Sequence, residues 1–209
     1  MIALSRFLGH QRLGVRLATA YLLFFGLLAG SYALGLLLPE GALRHLPLPS
    51  SALLGETGSP LLLAVQTLGY NLFLLLLILG ANHFRIGHFT LGYLPLYANV
   101  ILLGLFAGSD SFAGGVSSRN LEGWLLFLRV GFLEFSAYIL ACAATVPLAM
   151  FHADRWRGES FRRLRRFQDV RLSWQEWACL LLALGLLALA AVSEWILFGP
   201  QAVSASARA

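Results

Sequence analysis

The stretch "LRVGFLEFSAY", Leu128–Tyr138, lies inside an apolar run that begins with "GWLLF" and continues into "ILACAATVPLAMF". It carries Arg129 and Glu134 where the surrounding residues read as lipid-facing. A charged side chain at the centre of a membrane helix costs at least about 2.5–3.5 kcal/mol on insertion scales. Such residues therefore call for a partner or a function. At a rise of about 1.5 Å per residue, Glu134 falls about 15 Å below the outer end at Trp124, near the bilayer midplane. Arg129 is shallower and is expected to reach outward or to meet Glu194 near the outer end of the last apolar segment. The two charges of the motif sit about 140° apart around a helix axis, so they need not pair with each other.

Composition places that stretch in a membrane protein. Of 209 residues, 58% are hydrophobic and 12% charged, with mean hydropathy +0.75. Soluble domains carry about 25% charged residues. A hydrocarbon core of about 30 Å needs about 20 apolar residues in a helix. Five segments meet or approach that length: about 15–38, 60–81, 89–107, 124–151 and 177–198. The expected fold is all-α, a single polytopic membrane bundle of about five transmembrane helices over residues 1–209. The first segment exceeds the about 7–15 apolar residues of a signal peptide and no small-x-small cleavage site follows it, so a retained helix is expected. Pro95 and Pro147 are expected to kink the third and fourth helices.

Arginines set the orientation. With the N-terminus cytoplasmic, the inner parts hold Arg6, Arg12, Arg16, Arg85, Arg155, Arg157, Arg162, Arg163, Arg165, Arg166 and Arg171, and the outer parts Arg44, Arg119 and Arg208. This is a positive-inside bias. Trp124 and Trp195 fall at outer ends and Trp156, Trp174 and Trp177 at inner ends, as an aromatic belt requires. The expected location is the inner (plasma) membrane of a bacterium, in multiple passes.

The inner segment 152–175 repeats Phe161, Leu164, Phe167 and Val170 near helical spacing, which predicts a short amphipathic helix on the inner face. Its Arg155, Arg157, Arg162, Arg163, Arg165, Arg166 and Arg171 would meet anionic lipid headgroups or a cytoplasmic partner. No aromatic stacking platform accompanies them, so nucleic acid is not an expected partner. His83 and His88 are five apart and would diverge on a helix. They read as part of a tight inner turn in which Arg85 meets phosphate headgroups, not as a metal site. Cys142 and Cys179 lie inside apolar segments as packing residues. No Ser/His/Asp set, metal pattern or Gly-rich phosphate loop is present, so neither an enzyme nor a cofactor is expected.

The same depth reckoning places Asn71 midway along the second helix and Asn99 midway along the third, level with Glu134. The expectation is a midplane cluster in which both amides donate to the Glu134 carboxyl, with Tyr70, Tyr97 and Tyr138 alongside. Unsatisfied polar groups facing lipid are costly. Gly26 and Gly30, and Ala137 and Ala141, form small-x-x-x-small pairs suited to close helix packing.

The order of features has a further parallel. Asn71 is followed by Gly80, then "LGYLPLYANVILLG" (Leu91–Gly104), then "GFLEFSAYILACAA" (Gly131–Ala144). Over about residues 69–151 this resembles the stage II sporulation protein M family of bacterial integral membrane proteins. That family's pattern has an Asn-Gly with a later Gly in its middle segment and a Pro-His-Gly-x-x-Glu motif at the next helix. Asn99 and Gly104 match the first, with Val100 in place of the Gly. Gly131 and Glu134 match the second, with Arg129 and Val130 in place of Pro and His. In sporulating members the resemblance implies a membrane scaffold that positions a peptidoglycan-degrading complex. The expected function is thus a non-enzymatic scaffold or complex subunit that organises envelope partners and is compatible with homo-oligomers. The rival is a permease or transporter subunit using the midplane polar site.

Overall fold

A computed structural model describes residues 2–46, 60–112, 117–154, 160–164, 166 and 169–206. Its helices are α1 (Ile2–Leu8), α2 (Leu13–Leu36), α3 (Pro60–Ala81), α4 (Tyr93–Gly108), α5 (Leu121–Leu126), α6 (Phe132–Thr145) and α7 (Trp174–Ser206). A π-helical turn, Phe127–Gly131, joins α5 to α6, and a 3-10 turn, Val146–Leu148, follows α6. Among the described residues, three helical stretches are long and apolar enough to cross a membrane: Leu13–Leu36, Leu121–Leu148 and Trp174–Leu197. Val65–Ala81 and Tyr93–Gly108 are shorter apolar helices packed with them. Large apolar side chains such as Leu22, 75% exposed, Leu76, Leu181 and Ile196 point outward. Water would not tolerate so broad an apolar surface, whereas acyl chains would.

The α6 helix is the centre of the molecule: each residue from Phe135 to Thr145 is buried. It touches α2, α3, α4 and α7. The most extensive pairing is α2 with α4. On α2 the buried positions are Arg16, Ala20, Phe24, Leu28, Ser31 and Gly35, a single stripe at helical period. Close approach is made by small residues, but not by the pair that spacing alone suggests. Gly26 and Gly30 face open space, while a Cβ on Gly108 would lie 2.9 Å from the Gly35 Cα. Gly104 meets Ser31 in the same way. The working motif is therefore Ser31-x-x-x-Gly35 against Gly104-x-x-x-Gly108.

At one end the chain makes a small four-stranded sheet instead of a helix. Strands β1 (Phe84–Ile86), β2 (Phe89–Thr90), β3 (Phe151–Ala153) and β4 (Arg162–Arg163) are ordered β2-β1-β3-β4. The parallel β1–β3 contact links two loops, with Gly87 N–H donating to Ala153 O at 2.8 Å and Phe84 stacked on Phe151. This corrects three expectations. The third helix starts at Tyr93, since Phe89 and Thr90 pair with β1. Pro95 therefore falls in the first turn of α4, where its missing N–H removes no intrahelical bond and forces no kink. The described parts of 152–175 hold β3, β4, irregular backbone and the first residues of α7 in place of a separate amphipathic helix, because strand pairing to His152 and Phe151 satisfies the backbone of Arg162 and Arg163. Pro147 ends α6 in the 3-10 turn rather than kinking it, as expected when a proline lacks the donor to continue.

At the opposite end, the C-terminus of α4 is held by the loops. Arg119 Nε donates to Gly108 O at 2.9 Å and Arg44 donates to Asp110 O at 3.2 Å. Two cations at the negative end of a helix dipole are favourable. Asp110, at φ 48°, accepts from Ser118 N–H at 2.8 Å.

Candidate functional site

Glu134 lies in the first turn of α6, directly after the π-helical turn that contains Arg129. Asn71, 3% exposed on α3, donates from Nδ2 to Glu134 Oε1. The Tyr138 hydroxyl, also buried, donates to Asn71 Oδ1 at 2.8 Å. The result is a chain Tyr138–Asn71–Glu134 that begins and ends on α6 and passes through α3. Both faces of the amide are used, so Asn71 is held in one orientation.

Eleven residues further along both helices lies a second link. Asn82, fully buried, donates to Thr145 Oγ1 at 2.7 Å and Cys142 O at 2.9 Å, and accepts from Gly92 N–H at 3.1 Å. Asn71–Glu134 and Asn82–Thr145 have the same sequence separation of 63. The α3 and α6 helices therefore run parallel and in register, with polar links about 16 Å apart along the axis.

Asn99 does not join the cluster. Its Nδ2 donates to Pro95 O at 2.9 Å, one turn back in its own helix. The reason is the packing: α4 lies on α2, whereas α3 lies against α6 and α7. Equal depth did not bring Asn99 to the same place. Tyr97 likewise donates to Ala20 O on α2, at 3.3 Å.

Arg129 and Glu194 do not form an ion pair among the described residues. Arg129 is exposed. Glu194 turns inward and lines, together with Glu134, a cavity of about 310 Å³. Tyr32, Leu103, Trp124 and Phe127 contribute to its apolar and aromatic walls. Thr67 lies beside Glu194, its hydroxyl being the donor within reach of the buried Glu194 Oε2 though outside tight hydrogen-bond geometry.

A second charged contact was hidden in the sequence. Arg16, 2% exposed, donates from Nη2 to Glu176 Oε1 at 2.6 Å. Glu176 Oε2 accepts from Ser173 N–H at 2.8 Å, and its own N–H donates to Ser173 Oγ at 3.4 Å. This is a reciprocal capping box, legible in "SWQE" as Ser-x-x-Glu before an apolar run. Arg16 thus belongs to the interior, not to the exposed basic surface.

Of the basic segment, Arg162, Arg163, Arg166 and Arg171 are exposed, near exposed Phe161, Leu164, Trp174 and Trp177. Arg155, Arg157 and Arg165 lie outside the described residues. His83 Nδ1 pairs with Leu79 O at 3.0 Å. Among the described residues no three His, Cys, Asp or Glu side chains gather in a metal-holding group. Comparison of the chain with protein-family models, curated proteins and solved structures gives no match in any of the three.

Proposed function

We propose that the chain is a five-span protein of a bacterial inner membrane, N-terminus cytoplasmic, acting as a non-enzymatic scaffold or complex subunit of the kind the stage II sporulation protein M family represents. The observation that carries this reading is the sheet. Strands from two separate loops form a fixed platform at the end that holds most of the arginines, and Arg162, Arg163, Arg166 and Arg171 stand exposed there with aromatic neighbours. Such a surface suits anionic headgroups and an acidic face of a partner together. The Asn71 and Asn82 links then serve to hold the helices under that platform in one register. Copurification from native membranes tests this. Changing the four arginines to serine should leave the protein folded in detergent and strip stoichiometric partners from it. Retention of the same partners by the variant would sink the reading.

One observation favours a second reading, a permease or transporter subunit. The cavity brings two carboxyl groups, Glu134 and Glu194, to one apolar chamber between helices. Intramembrane acids facing a cavity commonly mark a pathway or a coupling site. Under this reading Glu134→Gln folds normally, because its amide oxygen still accepts from Asn71, yet abolishes uptake by proteoliposomes. Under the scaffold reading Glu134→Gln keeps assembly and Glu134→Ala loses it.

A further inference from the structure

We propose that the cavity shared by Glu134 and Glu194 binds a lipophilic organic cation, an ammonium-type group on an apolar body. The inference deepens the permease reading, on which it rests in taking the cavity to be a ligand site. Its first support is an imbalance of partners. Two carboxyl groups line the chamber, and among the described residues around it none is Arg, Lys or His. Asn71 is the side chain that donates to Glu134. Glu194 Oε2 is buried, and its neighbouring donor among the described residues is the neutral Thr67 hydroxyl, outside tight hydrogen-bond geometry. Arg129, the nearest cation along the chain, is exposed and pairs with neither acid among the described residues.

The walls select the ligand class. Calcium or magnesium requires about six or more oxygen ligands, and the residues here are mostly apolar and aromatic. A quaternary or primary ammonium needs few: a carboxylate on one side and ring faces on the others suffice. Tyr32, Trp124 and Phe127 supply the rings, with Trp124 5.4 Å from Tyr32 and 6.0 Å from Phe127. Rings of this kind attract ammonium groups within about 6 Å of their centres. The volume, about 310 Å³, is at the small end of ligand pockets, about 300–1,000 Å³. A proton alone would answer the carboxyls but leave the chamber unexplained. The π-helical turn that forms part of the wall is a feature that recurs at functional sites, and Val130 and Gly131 from it line the chamber.

The test uses the full chain in detergent and two probes of nearly the same shape, phenyltrimethylammonium and neutral tert-butylbenzene. Trp124 fluorescence and calorimetry should show saturable single-site binding of the cation, about tenfold or more tighter than the neutral probe, the scale of one charge-assisted contact. Glu194→Gln should weaken cation binding by a similar factor while its elution profile stays that of wild type. Equal affinity for both probes, which needs no variant, overturns the proposal, as does absence of saturation. Uptake is measured separately in proteoliposomes: saturable binding with no uptake upholds this inference and overturns the transport reading.

Discussion

Replacing Asn71 by Leu probes the Tyr138–Asn71–Glu134 chain with little change in volume. Asn71 is 3% exposed and uses both ends of its amide. Leucine leaves the buried Tyr138 hydroxyl without an acceptor and Glu134 Oε1 without a donor. Interhelical hydrogen bonds in membrane proteins average about 0.6 kcal/mol and reach about 1.7. Two lost bonds thus predict a destabilisation of about 1–3 kcal/mol. The sharper quantity is the coupling. Tyr138→Phe in the wild-type background should cost about 1 kcal/mol, since it removes a donor from Asn71 Oδ1. In the Asn71→Leu background the same change should be neutral or stabilising, because it removes an orphaned hydroxyl. Reversible unfolding of the four proteins in mixed micelles by increasing SDS measures all sides of the cycle. Costs for Tyr138→Phe that agree within about 0.3 kcal/mol in both backgrounds would refute the linkage.

Three further outcomes follow from other parts of the fold. Arg16→Met should destabilise by about 2–4 kcal/mol, below the full value for breaking a buried pair because Ser173 still holds Glu176, and adding Glu176→Gln should recover most of it in the same unfolding assay. Gly108→Ala, whose Cβ meets backbone of α2, should destabilise by about 1–3 kcal/mol, whereas Gly26→Ala, facing open space, should be neutral or slightly stabilising. Partial burial pushes the Asp110 carboxyl up, but hydrogen bonds from Ser118 and Ser117 and the charge of Arg119 outweigh it and hold it below the ordinary carboxylate range. A depressed folded value means that the stabilisation is present above the ordinary value and is lost as pH falls through the folded one. The protection factor of the Ser118 amide, the intrinsic exchange rate divided by the observed rate at the same pH, should therefore fall on acidification below about pH 4, and Asp110→Asn should abolish that dependence.

The helices were legible because long apolar runs leave little alternative; the observed bounds differ most at the start of α4, where β2 takes Phe89 and Thr90, and at α7, which runs from Trp174 on to Ser206. Periodicity in 152–175 suggested a helix, but a strand partner from a distant loop, β3, decided the local structure at Arg162 and Arg163. The polar site was half legible. Depth along a helix is readable from residue spacing, and it singled out Asn71 and Glu134; azimuth is not, and Asn99 at the same depth faces its own backbone. Position along the helices leaves Arg129 either reaching outward or meeting Glu194; Arg129 is exposed, and Glu194 lines the cavity with Glu134 where α7 packs on α6. Two further signals lie in the sequence. "SWQE" announces the capping box that orients Glu176, and Asn71 and Asn82 share the eleven-residue spacing of Glu134 and Thr145, which is close to three helical turns on each helix.

Carbodiimide labelling followed by peptide mass spectrometry tests most directly whether a pair of acids faces a chamber sheltered from water. In native membranes, a hydrophobic carbodiimide should modify Glu134 or Glu194, while a water-soluble one should modify exposed Glu40 and Glu122 and spare the pair. Modification of Glu134 and Glu194 by the water-soluble reagent as fast as Glu122 would contradict the account.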